Sequence, residues 1–261
     1  MKLELNEINK VEKTISKGEV DNKPSSTIRL LARYYNEQGM DMEQIIKVID
    51  TFMLKNYSHN YNSVTWGDMV EGIIKRAIKD NKKLVQIDYV NITNSEINYI
   101  KYLENDKFQR LAFVYLVYAK ILNQMNLLNN NWVNGKYRNE IFKDAFVKEL
   151  GKDQHKTIHS MSVDNIIKLS KNITNNSVDV SNYINEDETI VFEICDFREL
   201  GLQWMKYMGD KNIKSCEVCG ILYKSIKVRD NSRKYCKECS KNIIKEKDRI
   251  RKINSTKQKD S

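Results

Sequence analysis

Four of the five cysteines in this chain stand in two close pairs near its carboxyl end, Cys216 with Cys219 and Cys236 with Cys239, in the spacing C-x2-C-x16-C-x2-C. Each CxxC pair can place two thiolates on one tight turn, and the residues between the pairs can fold back as a hairpin that brings the pairs together. Four sulfur donors complete a tetrahedral shell around Zn²⁺ and leave no position for water or substrate, so the spacing points to a structural ion. Gly220 permits the close turn after the first pair, and the residues 221–223 and 226–228 read as the ribbon strands. A thioredoxin-like redox pair would need a βαβ setting, which this stretch lacks. So small a segment cannot build a core from apolar side chains alone, and metal binding and folding are therefore expected to be coupled here. The fifth cysteine, Cys195, lies in the apolar run VFEIC and reads as a buried core residue.

Charge is concentrated around the same segment. Residues 211–261 hold 16 Lys and Arg against 6 Asp and Glu, whereas the other residues hold 28 against 29, so the net charge of +9 resides in the last fifth of the chain. A localised basic patch is the electrostatic footprint of phosphate-backbone contact, although solvated Lys-rich tails are also common. The candidate nucleic-acid contacts beside the cysteines are Lys224, Lys227, Arg229, Arg233, Lys234 and Lys237. Lys241, Lys245 and Arg249 follow at roughly helical spacing. Tyr223 and Tyr235 can stack on unpaired bases or pack beside the metal. Lysines alone do not read sequence, because phosphate contacts position a protein without identifying bases.

The rest of the chain reads as mainly α, of the α+β class. Residues 1–25 are expected to be a flexible arm closed by Pro24, the chain's single proline. A helical domain follows over 26–82. Ile28, Leu31 and Tyr35 share one helical face, Asp41 with Gln44 forms a capping box, and Trp66, Met69, Val70, Ile73, Ile74 and Ala77 recur at three- and four-residue spacing. These apolar residues read as core, and Trp66 is given no ligand role. Residues 84–93 alternate like a strand, Thr93 with Glu96 caps a helix, and a longer helix places Phe108, Leu111, Ala112, Tyr115, Tyr118, Ala119 and Leu122 on one face. The domain 83–210 ends with a helix over 197–208 capped by Asp196 and Glu199, before the ribbon at 211–242 and a basic tail at 243–261.

Within 105–195, three helical stretches precede β-branched segments at 166–169, 177–180 and 189–195, which is the element order of a winged helix. On that reading KDQHKTIHSMS is the recognition helix, presenting Lys152, Gln154, Lys156 and two histidines to a major groove, with KNITNN as the wing. His155 and His159 are four residues apart, but Lys156 stands where an HExxH helix would carry its general base. No phosphate-binding GxxxxGK[ST], dinucleotide GxGxxG or GxSxG nucleophile turn occurs, and no catalytic residue is nominated. A metal-dependent nuclease assembled from carboxylates distant in sequence stays open as an alternative.

The residues CEVCGILYK and KYCKECSKNIIKEKDR resemble the ends of small proteins from phages and other mobile elements of low-GC Gram-positive bacteria, in which a zinc ribbon precedes a basic helix. The resemblance covers about the last 40 positions, is one of motif type without a named family, and implies nucleic-acid association. The expectation is a zinc-ribbon protein that binds DNA or RNA in replication or transcription control. The alternative is an adaptor or inhibitor directed at a host defence complex. With no apolar run long enough to cross a bilayer, no signal core and cysteines suited to a reducing compartment, the expected location is the cytoplasm, without a membrane partner.

Overall fold

The computed structural model describes residues 3–126, 130–171, 176–185, 189–225 and 233–257. They divide into two units, Leu3–Asp88 and the residues from Tyr89 onward. The boundary cuts the stretch 84–93 that alternation presents as one strand. Only Val90–Thr93 (β1) is a strand there, whereas Val85 and Ile87 belong to the N-terminal unit, where the Val85 carbonyl accepts from the Glu7 amide at 2.8 Å and the Ile87 amide donates to the Leu5 carbonyl at 2.8 Å.

The N-terminal unit is four helices: Glu7–Lys17 (α1), Pro24–Glu37 (α2), Met42–Asn56 (α3) and Ser63–Asp80 (α4). Helix α1 occupies the segment expected to be a flexible arm. Its single-sided apolar stripe buries Val11 in the same core as Ile28, Leu31, Ile45, Ile49, Met53 and Ile74, so the arm is a structural element. Asn6 caps it by accepting from the Asn9 amide at 2.8 Å, and Glu7 pairs with Arg33 of α2 at 2.8 Å. Pro24 sits in the first turn of α2, where its missing N–H costs nothing. The Asp41–Gln44 capping box forms at the start of α3. Trp66 packs edge-on against Tyr57 and Tyr61, with ring centroids 6.1 and 5.3 Å away.

The second unit is organised by Asp106–Asn126 (α6). Leu111 to Ile121 are all buried, so α6 is enclosed on every side instead of presenting the single face that sequence periodicity indicates. Phe113, Val114, Leu116 and Val117 supply the unexpected faces, as a helix apolar all round requires. Around α6 lie Asn94–Lys101 (α5), Arg138–Asp144 (α7), Lys152–Val163 (α8) and Leu200–Tyr207 (α9). Trp204 of α9 is fully buried, its ring 5.1 Å from that of Phe113. Gly201 of α9 lies so near the chain of Ala145 that an added Cβ would fall 2.5 Å from the Ala145 carbonyl carbon. The capping box at Thr93 and Glu96 is present. The Asp196–Glu199 cap is not: α9 begins at Leu200 after Glu199 in a left-handed conformation, and Asp196 instead accepts from Arg198 at 2.8 and 2.7 Å.

Three short strands, Trp132–Val133 (β2), Lys168–Leu169 (β3) and Val178–Asp179 (β4), form an antiparallel sheet in the order β2-β4-β3. Ile190–Ile194 (β5) leaves this sheet and pairs antiparallel with β1, so the hairpin after α8 contains two of the three segments assigned to it. Cys195, just beyond β5, is exposed, because Ile194 takes the inward position beside it. The KNITNN segment expected as the wing, 171–176, lies partly outside the described residues. With ten helices and seven short strands among the described residues, the fold is mainly α, of the α+β class.

One charge lies within the enclosed run of α6. Lys120, 5% exposed, meets Glu96, 0% exposed, at 2.8 Å. It also donates to the Asn91 carbonyl at 2.8 Å, while Glu96 accepts from the Thr93 and Asn185 amides at 2.8 and 2.9 Å. Removing one partner leaves an uncompensated buried charge. Lys120→Met is therefore expected to destabilise the protein by about 3–5 kcal/mol, measured by urea unfolding; a loss below about 1 kcal/mol would show that water solvates Glu96.

Candidate metal centre

The ribbon begins where α9 ends. Ile213–Ser215 (β6) and Leu222–Lys224 (β7) pair antiparallel, and Ile213 and Leu222 pack with Leu202 and Met205 of α9. The strand paired with β7 therefore precedes the first cysteine, where the sequence reading placed it at 226–228; that segment lies outside the described residues. Between the two strands the chain closes a knuckle. The Gly220 amide donates to the Cys216 carbonyl at 2.9 Å, the Cys216 amide donates to the Ile221 carbonyl at 3.0 Å, and Gly220 adopts φ +71°, which its missing Cβ allows.

The second pair lies at the root of the last helix, Lys237–Lys257 (α10). Cys236 precedes α10 and Cys239 is in its first turn. The Ser240 amide donates to the Cys236 carbonyl at 3.0 Å, and the Cys239 amide points at the Cys236 sulfur at 3.4 Å. A bond of 3.1 Å from the Glu217 amide to the Lys234 carbonyl ties the two halves together.

All four Sγ atoms lie within 4.8 Å of one another, and Cys219 and Cys236 are 3.8 Å apart. A disulfide needs about 2.05 Å. A tetrahedral Zn–thiolate site with bonds of about 2.3 Å has S···S edges of about 3.8 Å. The donor set and spacing thus fit a metal ion held by Cys216, Cys219, Cys236 and Cys239. Cys216, Cys236 and Tyr223 are buried together, with Ile221 and Tyr235 packed on them.

The electrostatics point the same way. Burial pushes the Cys216 thiol up, but hydrogen bonds from the backbone of Cys236, Cys219 and Val218 outweigh it and bring the group down to about 6. Cys239 is pushed well above the usual thiol range, chiefly by its hydrogen bonds with the sulfurs of Cys219 and Cys236. One thiolate in the cluster thus makes the next harder to form, and a bound cation reverses that order by stabilising all four.

The candidate basic residues are placed unequally. Lys224 is paired with Asp210 at 3.3 Å and Lys234 with Glu217 at 3.4 Å. Arg233 lies over the Tyr223 ring at 5.0 Å and donates to the Tyr235 carbonyl at 3.2 Å, while the Tyr223 hydroxyl donates to the Arg233 carbonyl at 2.6 Å. Tyr223 and Arg233 therefore brace the ribbon. Lys237, Lys241, Lys245 and Arg249 are exposed along α10, with Arg249 also at 3.1 Å from Glu246. Lys227 and Arg229 lie outside the described residues.

On α8, Lys152, His155, Lys156 and His159 are exposed, whereas Gln154 is buried. Gln154 donates to the Glu149 carbonyl at 2.8 Å and accepts from Arg138 at 3.2 Å, so it is taken up inside the unit and does not face a groove. His155 Nδ1 lies 3.3 Å from Arg138 Nη1, which places a cation beside the ring. Among the described residues, the four cysteines are the one group of three or more metal-ligating side chains that converge. Arg138, sixteen positions from Gln154, carries no local signal that marks it as a neighbour of α8. Also among the described residues, no helix is long and apolar enough to cross a membrane. Comparison of the chain with protein-family models, curated proteins and solved structures finds no match.

Purified under reduction, the protein is expected to carry about one divalent ion per chain, and Cys216→Ser or Cys236→Ser to lose it, as read by elemental analysis. Because the ligands must be thiolates, protons compete with the metal. Affinity should be retained above the thiol titration and fall as pH is lowered through it, which a chromophoric chelator can follow.

Proposed function

We propose that this chain is a cytoplasmic zinc-ribbon protein that binds nucleic acid through its C-terminal segment. It would act in replication or transcription control of a phage or other mobile element. The observation that carries the reading is the placement of four converging thiols at the root of a 21-residue helix on which Lys237, Lys241, Lys245 and Arg249 are exposed. A closed sulfur shell is suited to shaping a surface and not to catalysis. Zn²⁺ is the ion favoured by four thiolates in a tetrahedral arrangement. The positive helix it fixes is suited to displacing counterions from a phosphate backbone.

The second unit adds support. A helix, a strand, two helices and a hairpin, with the first strand beside the last in the order β2-β4-β3, is the arrangement expected of a winged helix, a motif that places its second helix of the pair against DNA.

A second reading, an adaptor or inhibitor that grips a host protein complex, draws on Ile244 and Ile250 of α10, 55% and 47% exposed. Apolar side chains on an otherwise charged helix suit a protein groove.

Salt separates the two. The triple substitution Lys241→Gln, Lys245→Gln, Arg249→Gln is expected to weaken binding to single- and double-stranded nucleic acid. It should also make the slope of log K against log salt shallower by about two to three, measured by fluorescence anisotropy. An unchanged affinity and slope would remove α10 as the contact and favour the protein-binding reading.

A further inference from the structure

The exposed face of α8 borders a groove of about 530 Å³ whose lining includes Arg138, His155, Lys156, His159 and Asn176. Among the described residues, no acidic side chain lines it. Lys156 has an acidic neighbour, Asp153 at 3.2 Å, but the two side chains are 78% and 66% exposed, and a pair so wet is readily exchanged for a phosphate.

We infer that this groove is a second nucleic-acid contact, independent of the ribbon, and that its ligand is double-stranded DNA engaged by α8 in the major groove. The inference rests on the nucleic-acid reading above and adds the form of nucleic acid. Three observations combine to carry it. Helix α8 buries Gln154, Thr157, Ile158 and Met161 on one side and leaves His155, Lys156, His159 and Ser160 on the other, so the presented face is polar and rigidly backed. A helix with side chains is about 10–12 Å across and matches a B-form major groove of about 12 Å, whereas the deep, narrow major groove of A-form RNA does not admit one.

The third observation is electrostatic. Arg138 Nη1 lies 3.3 Å from His155 Nδ1, so a permanent cation stands at the edge of the groove beside the ring, and the Nε2 edge lies away from it. A hydrogen bond between the two requires Nδ1 to accept, because the guanidinium has no acceptor. Arg138 supplies the positive potential that a bound phosphate would relieve.

The test uses the full-length, metal-loaded protein with three labelled probes of one sequence at about 50 mM salt, a regime in which phosphate contacts are strong: a DNA duplex, its single strand, and an RNA duplex. In Lys156→Glu/His159→Glu, both positions are exposed, and metal content and circular dichroism should stay unchanged. Affinity for the DNA duplex is expected to fall about tenfold or more, with a salt slope shallower by about one to two, while binding to the single strand and to duplex RNA holds. Lys156→Gln alone should shift the duplex affinity in the same direction by less. An unchanged duplex affinity, or an equal loss on all three probes, overturns the inference. A wild-type protein that binds single strands but not duplex DNA overturns it and leaves the α10 contact standing; one that binds no probe overturns both.

Discussion

A helix buried along eleven consecutive residues, Leu111 to Ile121, cannot be accommodated at a surface, and the second unit is the set of elements needed to enclose it. The enclosure has a chemical requirement as well as a steric one. Lys120 brings a charge into the run, and Glu96, held by the Thr93 and Asn185 amides, answers it. Those contacts join α5, the end of β1 and the segment before β5 to one point on α6. Helix α9 closes another side through Trp204, and the far side of α9 receives Ile213 and Leu222 of the ribbon. The cysteine site is thus attached, through one short helix, to the most deeply buried element of its unit.

What the sequence disclosed and what it withheld separate along physical lines. The cysteine spacing and the capping boxes at Asp41 and Thr93 are local signals, set by residues within a turn or two of one another, and they appear at the positions read for them; the cap read at Asp196 and Glu199 does not form. The single-face reading of α6 failed because periodicity assumes that one side meets water; when helices surround it, LAFVYLVYAKI has no side to spare. The N-terminal arm failed for the opposite reason. EINKVEKTISK is weakly apolar, and Val11 becomes a core residue only because the rest of the unit provides the cluster it joins, with Ile28, Leu31 and Ile45. At Cys195 the error was one of register: moving one position along a strand reverses the face.

The candidate site shows the same division. Its four ligands were readable because coordination chemistry constrains spacing. Its supporting contacts were not, since Tyr223 against Arg233 and the Glu217–Lys234 backbone bond join residues across the excursion between the pairs. Charge counting also left the partners of the cations unread: Lys224, Lys234 and Arg233 make contacts within the ribbon, whereas Lys237, Lys241, Lys245 and Arg249 are arrayed along α10. For α8, the winged-helix element order named Gln154 as a groove contact, but the side chain is buried and bonded to Arg138, which stands beside the helix.

Cys239 is at once a sulfur donor and a residue of the first turn of α10. Beyond that turn, none of the described side chains of the helix is buried, so the helix is cantilevered from its root. The ion would then serve as a hinge pin: it contributes little to the number of positive charges but fixes the bearing along which they project. Stripping it would leave the lysines in place with nothing to aim them, turning an oriented rod into a tethered cloud of charge.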